Sequence, residues 1–275
     1  MIFREIMPSL TLRPFVQNYL LVNLNSTIGH HIKPYPTRIE QALAFFGRGG
    51  IYSHDLTAGH SFKVARSAVF GQQVSRLNFQ NYYGPDFLML MVIFQPGAMY
   101  RLLGIPNHEL TAAYHDASAL IHPELLKVSD QIADANSYEE MIERAEEFLI
   151  GKIRNVKKES SPIDKIGLLL QKNPAQFSLD WLASQACLSP RQFERKFSER
   201  MGIGPKLYSR ISRFYQAFQY KEAQPHLDWL SVAVHFGYSD YDHLAKDFKQ
   251  FASVTPNILL KENAQRPEII VDLQV

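Results

Sequence analysis

The chain has 275 residues, 46% of them apolar and 20% charged, with a formal net charge of +2. This length allows two domains of ordinary size, each with its own core, and the composition is that of a globular protein rather than a disordered or fibrous one. So small a net charge neither demands nor forbids a polyanionic partner, which leaves the local distribution of charge to decide.

The longest apolar run, Phe87 to Phe94, is far short of the roughly 20 residues a spanning helix needs. The N-terminus, Met1-Ile-Phe-Arg-Glu-Ile-Met-Pro8, lacks a basic region, an apolar core and a small-residue cleavage site, so a cytoplasmic protein without a membrane segment is expected. Cys187 is the only cysteine, which excludes an intramolecular disulfide and a cysteine-built zinc site.

In chain order, Tyr19 to Leu24, Ala42 to Phe46, Ser67 to Phe70 and Phe87 to Phe94 read as short strands separated by Gly- or Pro-containing breaks. A succession of short strands predicts a small β-rich sandwich or cupin-like barrel. After Pro96 the pattern turns helical, with a short helix at Ala98 to Leu103 ended by Gly104, then helices near Pro123 to Ala133 and Tyr138 to Ile153. Ser137 and Glu140 have capping-box spacing, and Ile142, Ala145, Leu149 and Ile153 form the expected apolar stripe of the last helix. That helix is expected to pack on its own sheet, with a dimer contact as the alternative. Residues 155–162 are polar and end in Ser-Ser-Pro, the best candidate linker. The predicted organisation is therefore α+β and multidomain: an N-terminal effector or dimerisation domain at 1–154, the linker at 155–162, and an all-α domain at 163–275.

That last region contains an internal repeat. Lining up Ala183 with Ala233 places Leu188-Ser189 on Tyr238-Ser239, and one extra residue then places Phe193, Arg195 and Phe197 on Leu244, Lys246 and Phe248. Each copy reads as helix, break, helix, which suggests two equivalent reading heads rather than one catalytic pocket. In the first copy Ser178 can cap a helix carrying Leu182 and Ala183 inward. Ser189 and Pro190 then suit the N-cap and first position of a second helix, with Phe193, Phe197 and Met201 inside. Arg191, Glu194 and Arg195 fall on its outer face near the N-terminus, where a helix lying in a major groove meets base edges. In the second copy Gly237 suits a left-handed turn and Ser239 an N-cap, Leu244, Phe248 and Phe251 face inward, and Tyr241, Asp242, His243 and Lys246 are the outward candidates. Ordinary solvated charge is the plainer interpretation of either set taken alone.

Between the copies, Pro205 to about Ala223 reads as one long helix. Lys206, Arg210 and Arg213 share one side of it with no acid between them, as a phosphate-binding stripe requires.

Taken together, Leu182-Ala183, Leu188-Ser189-Pro190-Arg191, Phe193, Arg195, Phe197, Gly202 with Pro205, Tyr208, Arg213, Ala217, Val232-Ala233, Gly237-Tyr238, Asp240, His243, Lys246, Phe248-Lys249 and Val254-Thr255-Pro256 resemble the C-terminal DNA-binding domain of the AraC/XylS family of bacterial transcription regulators. The resemblance implies two helix-turn-helix units joined by the long helix and entering successive major grooves. It places base contacts on Arg191, Glu194, Arg195, Tyr241, Asp242, His243 and Lys246, gives Arg213 a phosphate or packing role, and implies RNA polymerase as a partner. Asp242, Leu244, Lys246 and Ser253 depart from the family pattern, so the first unit is expected to be the stronger reader. Leu12-Arg-Pro-Phe-Val-Gln-Asn-Tyr19 and Phe94-Gln-Pro-Gly-Ala-Met-Tyr-Arg-Leu-Leu-Gly104 are similar to the sandwich-type domain that precedes such a module, which implies a small-molecule effector, a homodimer, or both.

His30-His31, His54 and His60 invite a metal reading of a cupin-like barrel, but adjacent histidines on a strand point to opposite faces, so no metal is expected. No nucleophile-elbow, phosphate-loop or zinc-protease motif is present. Cys187 is expected in the core, as is most of the aromatic set Phe45, Phe46, Tyr82, Tyr83 and Phe94, which otherwise could line an apolar pocket. The sequence therefore predicts a transcription regulator without cofactor or enzymatic activity, bound to double-stranded DNA. The alternatives are a cupin-type metal enzyme fused to a DNA-binding module and a pure protein-interaction module.

Overall fold

The computed structural model of the chain describes residues 2–25, 32–55, 60–81, 86–174 and 177–265. Its N-terminal domain contains β1 (Ile2–Ile6), β2 (Val16–Asn25), β3 (Ile32–Tyr35), β4 (Ala42–Arg48), β5 (Ile51–Asp55), β6 (His60–Lys63), β7 (Ser67–Phe70), β8 (Leu77–Asn81), β9 (Asp86–Phe94) and, after the first helix, β10 (Tyr114–Asp116). They form a six-stranded antiparallel sheet in the order β1-β2-β9-β4-β7-β10 and a four-stranded antiparallel sheet in the order β3-β8-β5-β6.

Strand β9 sits at the centre of the larger sheet, with Leu90 opposite Leu21 of β2 on one side and Phe45 of β4 on the other. Because alternate residues point to opposite faces, Leu88, Leu90, Val92 and Phe94 join a core shared with helices, whereas Phe87, Met89, Met91 and Ile93 join a second core with Ile51 and Val64 of the smaller sheet's side. Both faces are covered, which is why this strand reads as an unbroken apolar run. The helical cover comprises α1 (Ala98–Leu103), α2 (Ala117–Leu120), α3 (Glu124–Ala133) and α4 (Tyr138–Ile153). Ser137 caps α4 by accepting from the N–H of Glu140. The stripe α4 buries is Met141, Ala145, Phe148 and Leu149, rotated slightly from the expected one, and it packs on its own domain.

The C-terminal domain runs through α5 (Pro162–Lys172), α6 (Leu179–Gln185), α7 (Pro190–Met201), α8 (Pro205–Ala223), α9 (Trp229–His235), α10 (Tyr241–Ala252) and α11 (Pro256–Ala264). All seven helices share one core. Helix α8 is its axis: Tyr208 meets Phe197 of α7 edge-on at 5.3 Å, and Phe214 meets Phe248 of α10 edge-on at 4.8 Å. Among the described residues no helix is long and apolar enough to cross a membrane. His30, His31, Tyr82 and Tyr83 lie outside the described residues, as do the side chains of His54 and His60.

Candidate nucleic-acid interface

The two helix-break-helix copies fold alike for local reasons. In each, the first helix is closed by the same bond: Leu188 N–H donates to the carbonyl of Ala183 at 3.0 Å, and Tyr238 N–H to that of Ala233 at 2.9 Å. Such a closure needs a left-handed residue just past the helix. The second copy uses Gly237 at φ 71°, but the first uses Cys187 at φ 53°. Cys187 is exposed there, which corrects its expected place in the core: a left-handed turn carries the side chain outward.

The second helix of each unit begins with a cap. Ser189 accepts from Gln192 N–H while Gln192 Oε1 accepts from Ser189 N–H, a full capping box, and Pro190 follows at the first position. In the second copy the cap is Asp240, not the expected Ser239. Its carboxylate accepts from His243 N–H at 2.7 Å. The extra residue of the second copy lies in its turn, so the cap moves one place along and Asp240 corresponds to Ser189.

On α7 this register leaves Arg191, Glu194, Arg195 and Lys196 exposed, while Phe193 and Phe197 are fully buried. On α10, Tyr241, Asp242, Lys246 and Lys249 are exposed. His243 is different. Its ring lies 3.4 Å from Arg213 and 3.3 Å from the Ser239 hydroxyl and stands edge-on against Tyr238, so it fixes the turn rather than standing clear of it.

The basic stripe on α8 is corrected more strongly. Asp247 of α10, 1% exposed, accepts from Arg210 at 2.6 Å and from Arg213 at 3.4 Å, and its Oδ2 also accepts from the Tyr238 hydroxyl at 3.1 Å. Arg213 lies over the Tyr238 ring at 4.0 Å. Burial, reinforced by the Asp247 carboxylate, pushes the Tyr238 phenol well above its ordinary range. The stripe thus does contain an acid, supplied by another helix. Arg213 packs, Arg210 is committed to α10, and Lys206 is the exposed cation of the three. The spacing of Leu244, Phe248 and Phe251 already places Asp247 on the buried side of α10, a signal the composition of α8 alone does not carry. Arg200 is likewise internal, paired with Asp164 at 2.6 Å and stacked on Tyr100.

The far ends of both recognition helices are held by the other domain. A helix leaves its last carbonyls without partners of its own. On α7 these are met by N-terminal-domain donors: Asn107 Nδ2 to Arg200 at 2.6 Å, Gln41 Nε2 to Met201 at 3.1 Å and the Thr111 hydroxyl to Gly202 at 2.8 Å. On α10, Thr37 N–H donates to Phe251 at 3.1 Å and Arg76 to Ala252 at 3.1 Å. Gly202 must be glycine for this docking, since it is left-handed at φ 91° and a Cβ there would stand 2.8 Å from the Thr111 hydroxyl.

Residues 182–262 match the family model described as a helix-turn-helix domain. The C-terminal domain is an AraC-type helix-turn-helix domain. The fold of the whole chain is similar to that of an apo variant of ToxT from Vibrio cholerae strain SCE256, at a TM-score of 0.50 and 12% identity over 94% of this chain and 99% of that one. ToxT from Vibrio cholerae O395 aligns with a TM-score of 0.49 at 11% identity over 92% and 100% of the two chains. A DNA-binding transcriptional dual regulator from Escherichia coli K-12 aligns with a TM-score of 0.34 at 21% identity over 39% of this chain and 96% of that one. No curated protein matches the chain.

The AraC-type domain therefore turns its helix starts outward and its helix ends toward the N-terminal domain. The outward set carries exposed Arg and Lys suited to base edges and phosphates. The inward set, Gln41, Arg76, Asn107 and Thr111, is not singled out by sequence patterning: each is a lone polar residue in a loop or short turn, and only the docked fold brings it to a carbonyl at a helix end.

Proposed function

We propose that the chain is a sequence-specific DNA-binding transcription regulator whose N-terminal domain receives a small molecule and passes its effect to the two recognition helices. The observation that carries this reading is the pair of capped recognition helices whose exposed first two turns bear Arg191, Glu194, Arg195, Tyr241, Asp242 and Lys246, while their last carbonyls rest on the other domain. Arg191 and Arg195 suit guanine, Glu194 and Asp242 suit cytosine N4, and Lys206 suits phosphate. His243 and Arg213 act by holding the second unit in shape.

Because one domain touches both helix ends, a ligand that favours or disfavours the docked arrangement shifts DNA affinity by its differential affinity for the two states. No enzymatic role belongs to this reading. The resemblance to AraC/XylS regulators implies contact with RNA polymerase, and homodimerisation through the N-terminal domain beside or in place of ligand binding. The test is fluorescence anisotropy with labelled duplexes across a salt series. A regulator binds random duplex in a strongly salt-dependent way and a selected sequence far more tightly; absence of duplex binding at low salt would leave only the interaction-module alternative.

A further inference from the structure

Helix α10 begins with a chain of hydrogen bonds whose directions fix the state of one side chain. Arg213 of α8 points Nη2 at His243 Nε2 across 3.4 Å, and the other ring nitrogen, Nδ1, stands 3.3 Å from the Ser239 hydroxyl. That hydroxyl lies 3.1 Å from Asp240 Oδ2, and Asp240 Oδ1 accepts from the backbone N–H of His243 at 2.7 Å. A guanidinium has donors only, so Nε2 must accept, and the single ring proton of a neutral imidazole then sits on Nδ1. Nδ1–H donates to Ser239, Ser239 O–H donates to Asp240, and each hydrogen is used once.

We infer that His243 is a positioning residue of the second reading head and is competent only as the neutral imidazole protonated on Nδ1. The inference rests on the regulator reading above and deepens it. Arg213 is the group through which the ring acts. Besides facing His243 it donates to Asp247 and lies over the Tyr238 ring, so His243 ties the start of α10 to α8 and to the turn before it. Tyr241 and Asp242 stand outward on the first turn held in this way.

A second proton removes the Nε2 lone pair and sets an imidazolium 3.4 Å from a guanidinium. The other groups around the ring are engaged already. Asp247 of α10 is shared by Arg210, Arg213 and the Tyr238 hydroxyl, and Asp240 serves as the cap. Lys246, one turn along α10, adds positive charge, and Tyr238 meets the ring edge-on at 5.1 Å. Acid therefore releases the first turn of α10 from α8. The first head has no counterpart, since residues 178–202 contain no histidine and its cap is Ser189 with Gln192. Only the second head depends on a proton.

The experiment is anisotropy titration of the full chain between about pH 8 and about pH 5.5, against a selected two-element duplex and against versions with either element scrambled. The expected result is that scrambling the second element costs about tenfold or more in affinity at the upper pH and little at the lower, while the cost of scrambling the first stays constant. Comparing duplexes at one pH cancels the general gain in affinity that charging histidines give on any duplex. Asp240 stays charged throughout, because the His243 N–H holds its carboxyl below the ordinary range. His243→Gln offers Arg213 a carboxamide oxygen that takes no proton in this range, and should keep the second-element preference at both pH values; His243→Ala should lose it at both. A second-element preference that acid leaves in place, or the same acid loss in His243→Gln, would overturn the proposal. Nitrogen–proton NMR of the full chain reads the tautomer without any variant, and a proton on Nε2 at the upper pH would equally overturn it. Failure of the regulator reading shows separately, as no preference for either element at the upper pH.

Discussion

The guanidinium of Arg76, 4% exposed as a residue, donates to the main-chain carbonyl of Ala252 at 3.1 Å, so the last turn of α10 ends on a side chain of the other domain. Asn107 does the same for α7 through the carbonyl of Arg200. One domain thereby touches the ends of two recognition helices that α8 already joins in one core. Replacing both donors, as Arg76→Ala with Asn107→Ala, is expected to cost about 1–3 kcal/mol per orphaned group. It is also expected to blur spacing: a duplex with one base pair inserted between the two elements should be penalised less by the variant than by the parent chain. Equal penalties in a gel-shift series would show that the docking does not fix the spacing.

Arg195 and Lys206 are expected to fail differently. Arg195→Ala should cost about 1–3 kcal/mol at one base position and relax selectivity there. Lys206→Ala should weaken binding to all duplexes alike and reduce the slope of log affinity against log salt by about 1. Competition titrations with specific and random duplex at several salt concentrations separate the two.

Asp247→Ala should be the most damaging change in the second unit. It leaves Arg210, Arg213 and the Tyr238 hydroxyl without their shared acceptor. Removing one partner of a buried ion pair costs about 3 kcal/mol or more, and because Arg210 is partly exposed the lower end is expected here. Urea unfolding measures it; a cost below that of an average surface change would mean the network is ornamental.

Cys187→Gly is expected to stabilise the protein. A left-handed non-glycine residue costs about 1–2 kcal/mol, and glycine gives back about half of that gain through its larger unfolded-state entropy. The copy with Gly237 at the same place shows that the turn accepts it. A net gain near 1 kcal/mol should appear as a raised urea midpoint with an unchanged slope.

The caps give the domain an acid sensitivity. Backbone N–H groups of Ser231 and His243 donate to Asp228 and Asp240 and hold both carboxyls below their ordinary range. Since the folded values lie below the unfolded ones, the stabilisation is present above about pH 4 and is lost as pH falls through the depressed values. Thermal unfolding between neutral and acid pH should therefore show a smaller loss for Asp228→Asn with Asp240→Asn than for the parent chain.

How much of this was legible follows from where the signals reside. The strands β2, β4, β7 and β9 are buried apolar segments and were readable as such, whereas β1, β3, β5, β6, β8 and β10 are short or mixed in polarity and gain their order from pairing. The helical repeat was readable because Phe193, Phe197, Leu244, Phe248 and Phe251 repeat at helical spacing and the breaks carry caps. The cap of α10 lies one residue beyond the expected Ser239 because Ser239 and Asp240 are both good caps, and only the length of the turn chooses between them. The true role of the basic stripe is not legible on α8, because its counter-charge, Asp247, lies on another helix. The clamp on the helix ends joins residues more than 90 positions apart, beyond the reach of any local pattern.

Two unequal reading heads on one helical core are expected to recognise DNA together. Selection of bound duplexes from a random pool by the full chain tests it most directly. The expected outcome is two preferred elements about one helical turn apart, with the stronger preference in the element read by Arg191 and Arg195 and lost there in the Arg195→Ala variant. A single element, or two elements with freely varying separation, would contradict it.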